Sequence, residues 1–249
     1  MTEQQGTETS RQVGASQQAV AIIGALEEEV NLIARSLHDV EHMEASRRAG
    51  LDVVSGTLHK DDGGDIRVVA TVGGMGTVNA AATTQHLIDV YRPGAVIFSG
   101  IAGNLNPSLH INDVVLGGTL RYLDSDMRLI GQFAPKTEEF HSDGHLLDVA
   151  DRALSQMDIT HIVGIIASGD YFVDTPEKTQ QVVRETGADA VEMEGAAVAH
   201  VAARNEVPAL VIRALSDNAD TDYEVFKEFD ISEYADTAAR LVIRILTQL

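Results

Sequence analysis

The sequence predicts an α/β protein in which helices cover both faces of a largely parallel sheet, a three-layer sandwich. Three observations lead there. Short apolar runs alternate with segments of helical spacing from residue 19 to the C-terminus. No internal repeat or linker divides them, so 19–249 reads as one domain. A chain of 249 residues with 44% hydrophobic content also has enough apolar side chain for one large core.

The elements follow in order. "AVAIIGAL" (19–26) reads as a buried strand, and Val30, Ile33, Ala34 and Leu37 then keep helical spacing. "LDVVSGTLH" and "DIRVVATV" read as two strands joined through the turn-rich "KDDGG" (60–64). "GTVNAAATTQHLIDVY" (76–91) predicts a helix and "GAVIFSG" (94–100) a strand. "DVVLGG" and "TLRYLDSDMRLI" suggest a strand pair, followed by a helix over 144–157 and a strand over 161–170. A helix around 176–186 precedes "AVEMEGAAVAHVA" (190–202), read as a strand and then a helix. "PALVIRALSD" (208–217) is the last strand, and 231–249 forms an amphipathic closing helix.

Composition narrows the function. A net charge of −20 would repel a phosphate backbone, which excludes nucleic acid as an expected partner. No apolar run approaches the length of a transmembrane helix, so no membrane partner is expected. The polar stretch 1–18 lacks the layout of a secretory signal and reads as a disordered tail. The absence of cysteine suits a reducing cytoplasm, the expected location. The nine histidines show no ligand spacing, so no metal is expected.

In such sheets ligands bind outside the carboxyl ends of the strands. Glycines and acids recur at six predicted strand ends: Glu27, Glu28 and Glu29, Gly73, Gly74 and Gly76, Gly100 and Gly103, Gly169 and Asp170, Glu192 and Glu194, and Ser216 and Asp217. Parallel strands would bring them to one rim. "GGMGTVN" (73–79) is either a nest of N–H groups for a ligand oxygen or an ordinary strand-to-helix turn. Acids in a first helical turn offset the helix dipole, which accounts for Glu27 and Glu28 and leaves Glu29 as a candidate base. Asp124 and Asp126 read as solvated strand residues. In a strand, Glu192 and Glu194 would share a face, with Val191 and Met193 on the other. No basic residue lies between Arg184 and Arg204, so a partner for these charges must come from elsewhere in the fold or from a ligand. A carboxylate accepts two hydrogen bonds at once, which suits a vicinal diol such as a ribose.

"IGALEEEV", "GMGTVNAA", "SGIAGNL", "SGDYFV", "VEMEGAAVAHVA" and "VIRALSDNAD" resemble, in order, the motifs of 5′-methylthioadenosine/S-adenosylhomocysteine nucleosidases of the nucleoside phosphorylase superfamily. The resemblance runs from about Val20 to the C-terminus. It implies a single nucleoside phosphorylase-like domain with a central mixed, largely parallel sheet. It also implies hydrolysis of the N-ribosidic bond of methylthioadenosine, S-adenosylhomocysteine and 5′-deoxyadenosine. By this resemblance Glu29 activates water and Asp217, helped by Ser216, protonates the purine. Glu194 holds the ribose hydroxyls, Met193 packs beneath the sugar, and Glu192 and Gly100 belong to the substrate site. Phe172 stacks on adenine and the backbone of Val173 reads its edge. The chemistry needs no cofactor, and the resemblance implies a homodimer whose partner closes the pocket for the 5′ group.

The chain departs from the family pattern at several positions. Leu123 replaces a histidine, Leu26 a common methionine and Gly73 a frequent serine, and the stretch 131–143 matches poorly. Since that stretch should shape the 5′ pocket, the 5′ substituent is left open. The rivals are a futalosine-type nucleosidase, a purine nucleoside phosphorylase and a non-catalytic nucleoside-binding protein. A phosphorylase places arginines around phosphate, and neither "GGMGTVN" nor "SGIAGNL" contains one. Arg213 is either structural or an anion ligand.

Overall fold

The computed structural model describes residues 18–220 and 230–249; all but the last residue of the expected N-terminal tail lies outside them. Among the described residues, ten strands form one mixed sheet, as expected of this α/β chain. β1 (Val20–Gly24), β4 (Asp65–Val72), β5 (Ala95–Asn104) and β10 (Ala209–Asp217) run parallel. β3 (Val53–His59) extends the edge antiparallel to β4, and β2 (His38–His42) pairs antiparallel with β3. β6 (Val114–Tyr122) pairs antiparallel with β10 and parallel with β8 (His161–Ser168). A two-residue strand β7 (Phe140–His141) joins the edge of β6. The short β9 (Ala190–Glu192) pairs parallel with β8 and antiparallel with the far end of β5. The pairings β5–β10–β6–β8–β9–β5 therefore close a ring at one side of the sheet.

Alternation along each strand builds the layers. On β1, Val20 and Ile22 enter one core while Ala21 and Ile23 enter the other. Leu210 and Ile212 alternate in the same way with Val211 on β10. Helices α1 (Glu27–Arg35), α4 (Gly144–Gln156) and α7 (Ser232–Gln248) cover the first face, and α2 (Thr77–Tyr91) and α6 (Gly195–Arg204) the second. Helix α5 (Pro176–Thr186) puts Val182 into a smaller cluster with Val173 and Val191. Among the described residues, no helix is long and apolar enough to cross a membrane.

Two expectations about elements are corrected. The suggested strand pair over 113–130 is the single strand β6, with a register irregularity between Gly117 and Thr119. The rest of that stretch turns into the short helix α3 (Met127–Ile130), which Asp126 caps by accepting from the Arg128 N–H. Asp124 and Asp126 thus lie beyond the strand, although both are exposed. The edge strand β2 went unpredicted because all five of its residues are exposed, leaving no apolar alternation to read.

Candidate active site

The long β5 explains how the strand ends meet. β1 follows it only to Phe98, and the remaining residues carry on to Asn104, where β9 lies alongside. Around this extension is a cavity of about 310 Å³. The loop after β1, the loop between β4 and α2, the loop after β8, the β9–α6 turn and the end of β10 all reach it.

Glu29 sits in the first turn of α1 and is 4% exposed, whereas Glu27 and Glu28 are exposed. Its Oε2 accepts from the Ala25 and Leu26 N–H groups at 2.6 and 3.0 Å, and Oε1 from the Ile101 N–H at 3.0 Å. Burial pushes this carboxyl above its usual range, opposed by the Arg213 charge and the three N–H groups. Gly100 is not on the cavity wall. A Cβ there would stand 2.2 Å from Glu29 Oε1, so this glycine makes room for the carboxylate instead of forming the wall expected to meet substrate.

Asp217 ends β10 where the register with β5 slips between Leu215 and Asp217. Such a bulge re-aims side chains, and Ser216 and Asp217 both reach the cavity. Asp217 Oδ1 accepts from the Ala219 N–H at 2.7 Å and Oδ2 from the Ser216 hydroxyl at 2.9 Å. Burial outweighs these bonds and holds the carboxyl above its usual range, with Asp220 adding a smaller push the same way. The acid at hand is thus Asp220.

The glutamate pair differs from the same-face expectation. β9 stops at Glu192, and Glu194 is the N-cap of α6 with φ −140° and ψ −37°. The two side chains consequently diverge. Glu192 folds back on α6, accepting from the Glu194 N–H at 3.2 Å and the Gly195 N–H at 2.8 Å. Its other partners are the Ser168 hydroxyl and Arg213 Nε and Nη2, the Nε bond being 3.1 Å. Glu194 turns the other way, and its Oε1 accepts from the Gly76 N–H at 2.7 Å. Burial first, then the Glu192 charge, raises the Glu194 carboxyl, while Arg213 opposes the shift. Both acids border the cavity, but Glu192 already has its oxygens engaged within the protein.

Arg213 is the basic partner that lay elsewhere in the fold. It is 1% exposed, its guanidinium carbon sits 4.2 Å from the Phe98 ring centroid, and Nη2 comes within 3.9 Å of Glu194 Oε2. Its role here is structural. Among the described residues that line the cavity there is no lysine, arginine or histidine.

The glycine loop is also committed inside the protein. The Gly76 N–H goes to Glu194 and the Thr77 N–H to Asp170, so these two donors of the expected nest serve carboxylates of the chain. Met193, Phe172 and Val173 line the cavity as expected. Asp170, one of the strand-end residues, also lines it, as do Met75, Ile101 and Tyr171, which no spacing marked in the sequence. Leu123, at the replaced histidine, packs behind Gly169 and not on the cavity wall.

Comparison with known proteins places the chain in a family. The family model of the phosphorylase superfamily matches residues 19–247. A 5′-methylthioadenosine/S-adenosylhomocysteine nucleosidase of Shewanella sp. (strain W3-18-1) is 36% identical over 236 residues, covering 92% of this chain and 99% of the relative. The crystal structure of the nucleosidase of that name from Neisseria meningitidis, in complex with methylthio-immucillin-A, superposes with a TM-score of 0.84 at 33% identity, covering 93% and 100% of the two chains. A futalosine hydrolase of Helicobacter pylori also matches, with a TM-score of 0.81 at 29% identity over 94% and 99%. The chain belongs to the phosphorylase superfamily, in its 5′-methylthioadenosine/S-adenosylhomocysteine nucleosidase family.

Proposed function

We propose that this chain hydrolyses the N-ribosidic bond of 5′-methylthioadenosine and S-adenosylhomocysteine, releasing adenine and the thioribose. The observation that carries the reading is that Glu29 and Asp217, both raised by burial, stand on the wall of one cavity. As the bond from C1′ to the purine breaks, its electron pair moves to the base and Asp217 delivers a proton to N7. Water attacks C1′ and gives its proton to Glu29. Glu194, held by Gly76, accepts the ribose hydroxyls, and Met193 packs under the sugar. Phe172 stacks on adenine and the Val173 backbone meets its edge. Ser216 orients the Asp217 carboxyl, and Glu192 acts through the turn that presents Glu194. These steps move protons and shield charge with carboxylates, so they call for no metal or organic cofactor.

Water is the nucleophile in this reading. Phosphate would need a cation at the sugar, and Arg213 is bonded to Glu192 behind the wall. A homodimer completes the site: Met75 and Tyr171 border the cavity yet are 48% and 38% exposed, and the neighbouring Val78 is 76% exposed. A second copy covering these apolar side chains would close the pocket around the 5′ group. The setting we propose is the cytoplasm.

Product analysis tests the reading. Incubation with methylthioadenosine in phosphate-free buffer should yield adenine and free methylthioribose. Sugar-1-phosphate formed only when phosphate is added would identify a phosphorylase. Faster turnover of futalosine than of methylthioadenosine would favour the futalosine-type alternative.

A further inference from the structure

Asp170 lies at the surface where the loop after β8 meets the start of α2. Its Oδ1 accepts from the Thr77 N–H at 2.7 Å and its Oδ2 from the Thr77 hydroxyl at 2.5 Å. The N-cap of α2 is Gly76, which has no side chain to cap the helix, so the cap arrives from 93 residues away. Gly76 has φ +96°, and a Cβ there would meet Asp170 Oδ1 at 3.1 Å, so a glycine lets the two segments approach. The adjacent N–H, that of Gly76, is taken by Glu194. Two successive donors at one helix end are thus held by carboxylates from two different loops. Asp124 steadies the clasping residue, its Oδ2 accepting from the Asp170 N–H at 2.8 Å.

We propose that Asp170 is a positioning residue whose clasp on Thr77 ties the loop carrying Phe172 and Val173 to the helix end that holds Glu194. What the two halves bind rests on the proposed nucleosidase reading: the loop meets the base and Glu194 meets the ribose. The clasp sets the spacing between them, so a nucleoside meets both contacts already in register. Because the clasp is exposed, water can replace it at little cost to the fold, and its loss should be felt in alignment more than in global stability.

The test compares Asp170→Ala, Asp170→Asn and Thr77→Val in the full chain. Asp170→Ala should raise KM for methylthioadenosine on the order of tenfold while kcat stays within about twofold. Asp170→Asn should restore most of the affinity, because its carbonyl can accept from the Thr77 N–H while its amide donates to the hydroxyl. Hydrogen exchange should quicken in peptides covering 74–80 and 169–175 in Asp170→Ala but not in Asp170→Asn. Thr77→Val, which removes only the hydroxyl arm, should move KM and exchange the same way by less, and decides the matter if Asp170→Ala does not fold. Unchanged KM and exchange in a folded Asp170→Ala would overturn the clasp, as would a lowered melting temperature with KM unmoved. Equal impairment in Asp170→Asn would overturn it too, pointing to charge in place of geometry. If the wild type releases no adenine, the nucleosidase reading fails, and hydrogen exchange still decides the clasp.

Discussion

Arg213 on β10 bonds the Glu192 carboxylate through Nε and Nη2, and the same guanidinium lies 3.9 Å from Glu194 Oε2. One buried cation therefore serves both members of an acidic pair that the local sequence leaves unpaired. It also opposes the upward shift of Glu29. Removing it would leave charge buried without compensation. Arg213→Met should cost about 3–5 kcal/mol in urea unfolding. Adding Glu192→Gln should recover part of that loss, since a vacated pair is tolerated better than a lone charge. No loss of stability in Arg213→Met would refute the coupling.

Gly100→Ala puts a methyl group 2.2 Å from the position that Glu29 Oε1 now holds. The carboxylate must leave the Ile101 N–H. If Glu29 activates water, kcat should fall by about 10²-fold or more, while circular dichroism and adenine binding stay close to those of the wild type. A variant with near wild-type kcat would show that Glu29 does not need this position.

Asp217 supplies the pH dependence. Its folded value is raised by burial, so the acid keeps its proton to higher pH than a free carboxyl does, and kcat should fall as pH rises through that value. Asp217→Asn should lower kcat by roughly 10²-fold or more and abolish this alkaline limb. Ser216→Ala removes a bond that favours the ionised form, so it should move the limb to higher pH. A limb that persists in Asp217→Asn would assign the acid to another group.

Glu194→Gln should separate activity from stability. Loss of a carboxylate that accepts ribose hydroxyls should cost on the order of 2–4 kcal/mol of transition-state stabilisation, and the 2′-deoxy substrate should lose much of its disadvantage. Stability should move the opposite way. With its value raised in the fold above 4.5, Glu194 holds a proton more tightly when folded than when unfolded, so it penalises the fold more as pH rises. The variant should melt higher than the wild type at pH 9, and the difference should close toward pH 4.5. A lower melting temperature across that range would contradict the sign of the burial effect.

Much of the architecture was legible in the chain, because local periodicity is a local property. The spacing placed α5 at 176–186, and the apolar runs located β1, β4, β8 and β10. The strand-end rule gathered residues from six strand ends, of which Glu29, Gly103, Asp170, Glu192, Glu194, Ser216 and Asp217 line one cavity while Glu27, Glu28, Gly73, Gly74, Gly76, Gly100 and Gly169 do not. What the residue pattern could not decide was where charges find their partners. Glu192 and Arg213 are 21 residues apart and meet only because β9 and β10 both flank β5. Whether Glu194 shared a strand face with Glu192 depended on where β9 stopped. The Gly76 N–H that holds it comes from 118 residues away. The donors of the glycine loop looked available for a ligand until the fold brought Glu194 and Asp170 against them. Elements arise from neighbours in sequence, so the sequence determined them. The electrostatics of a buried site depend on distances of a few ångströms between remote segments, and only the tertiary structure decides those.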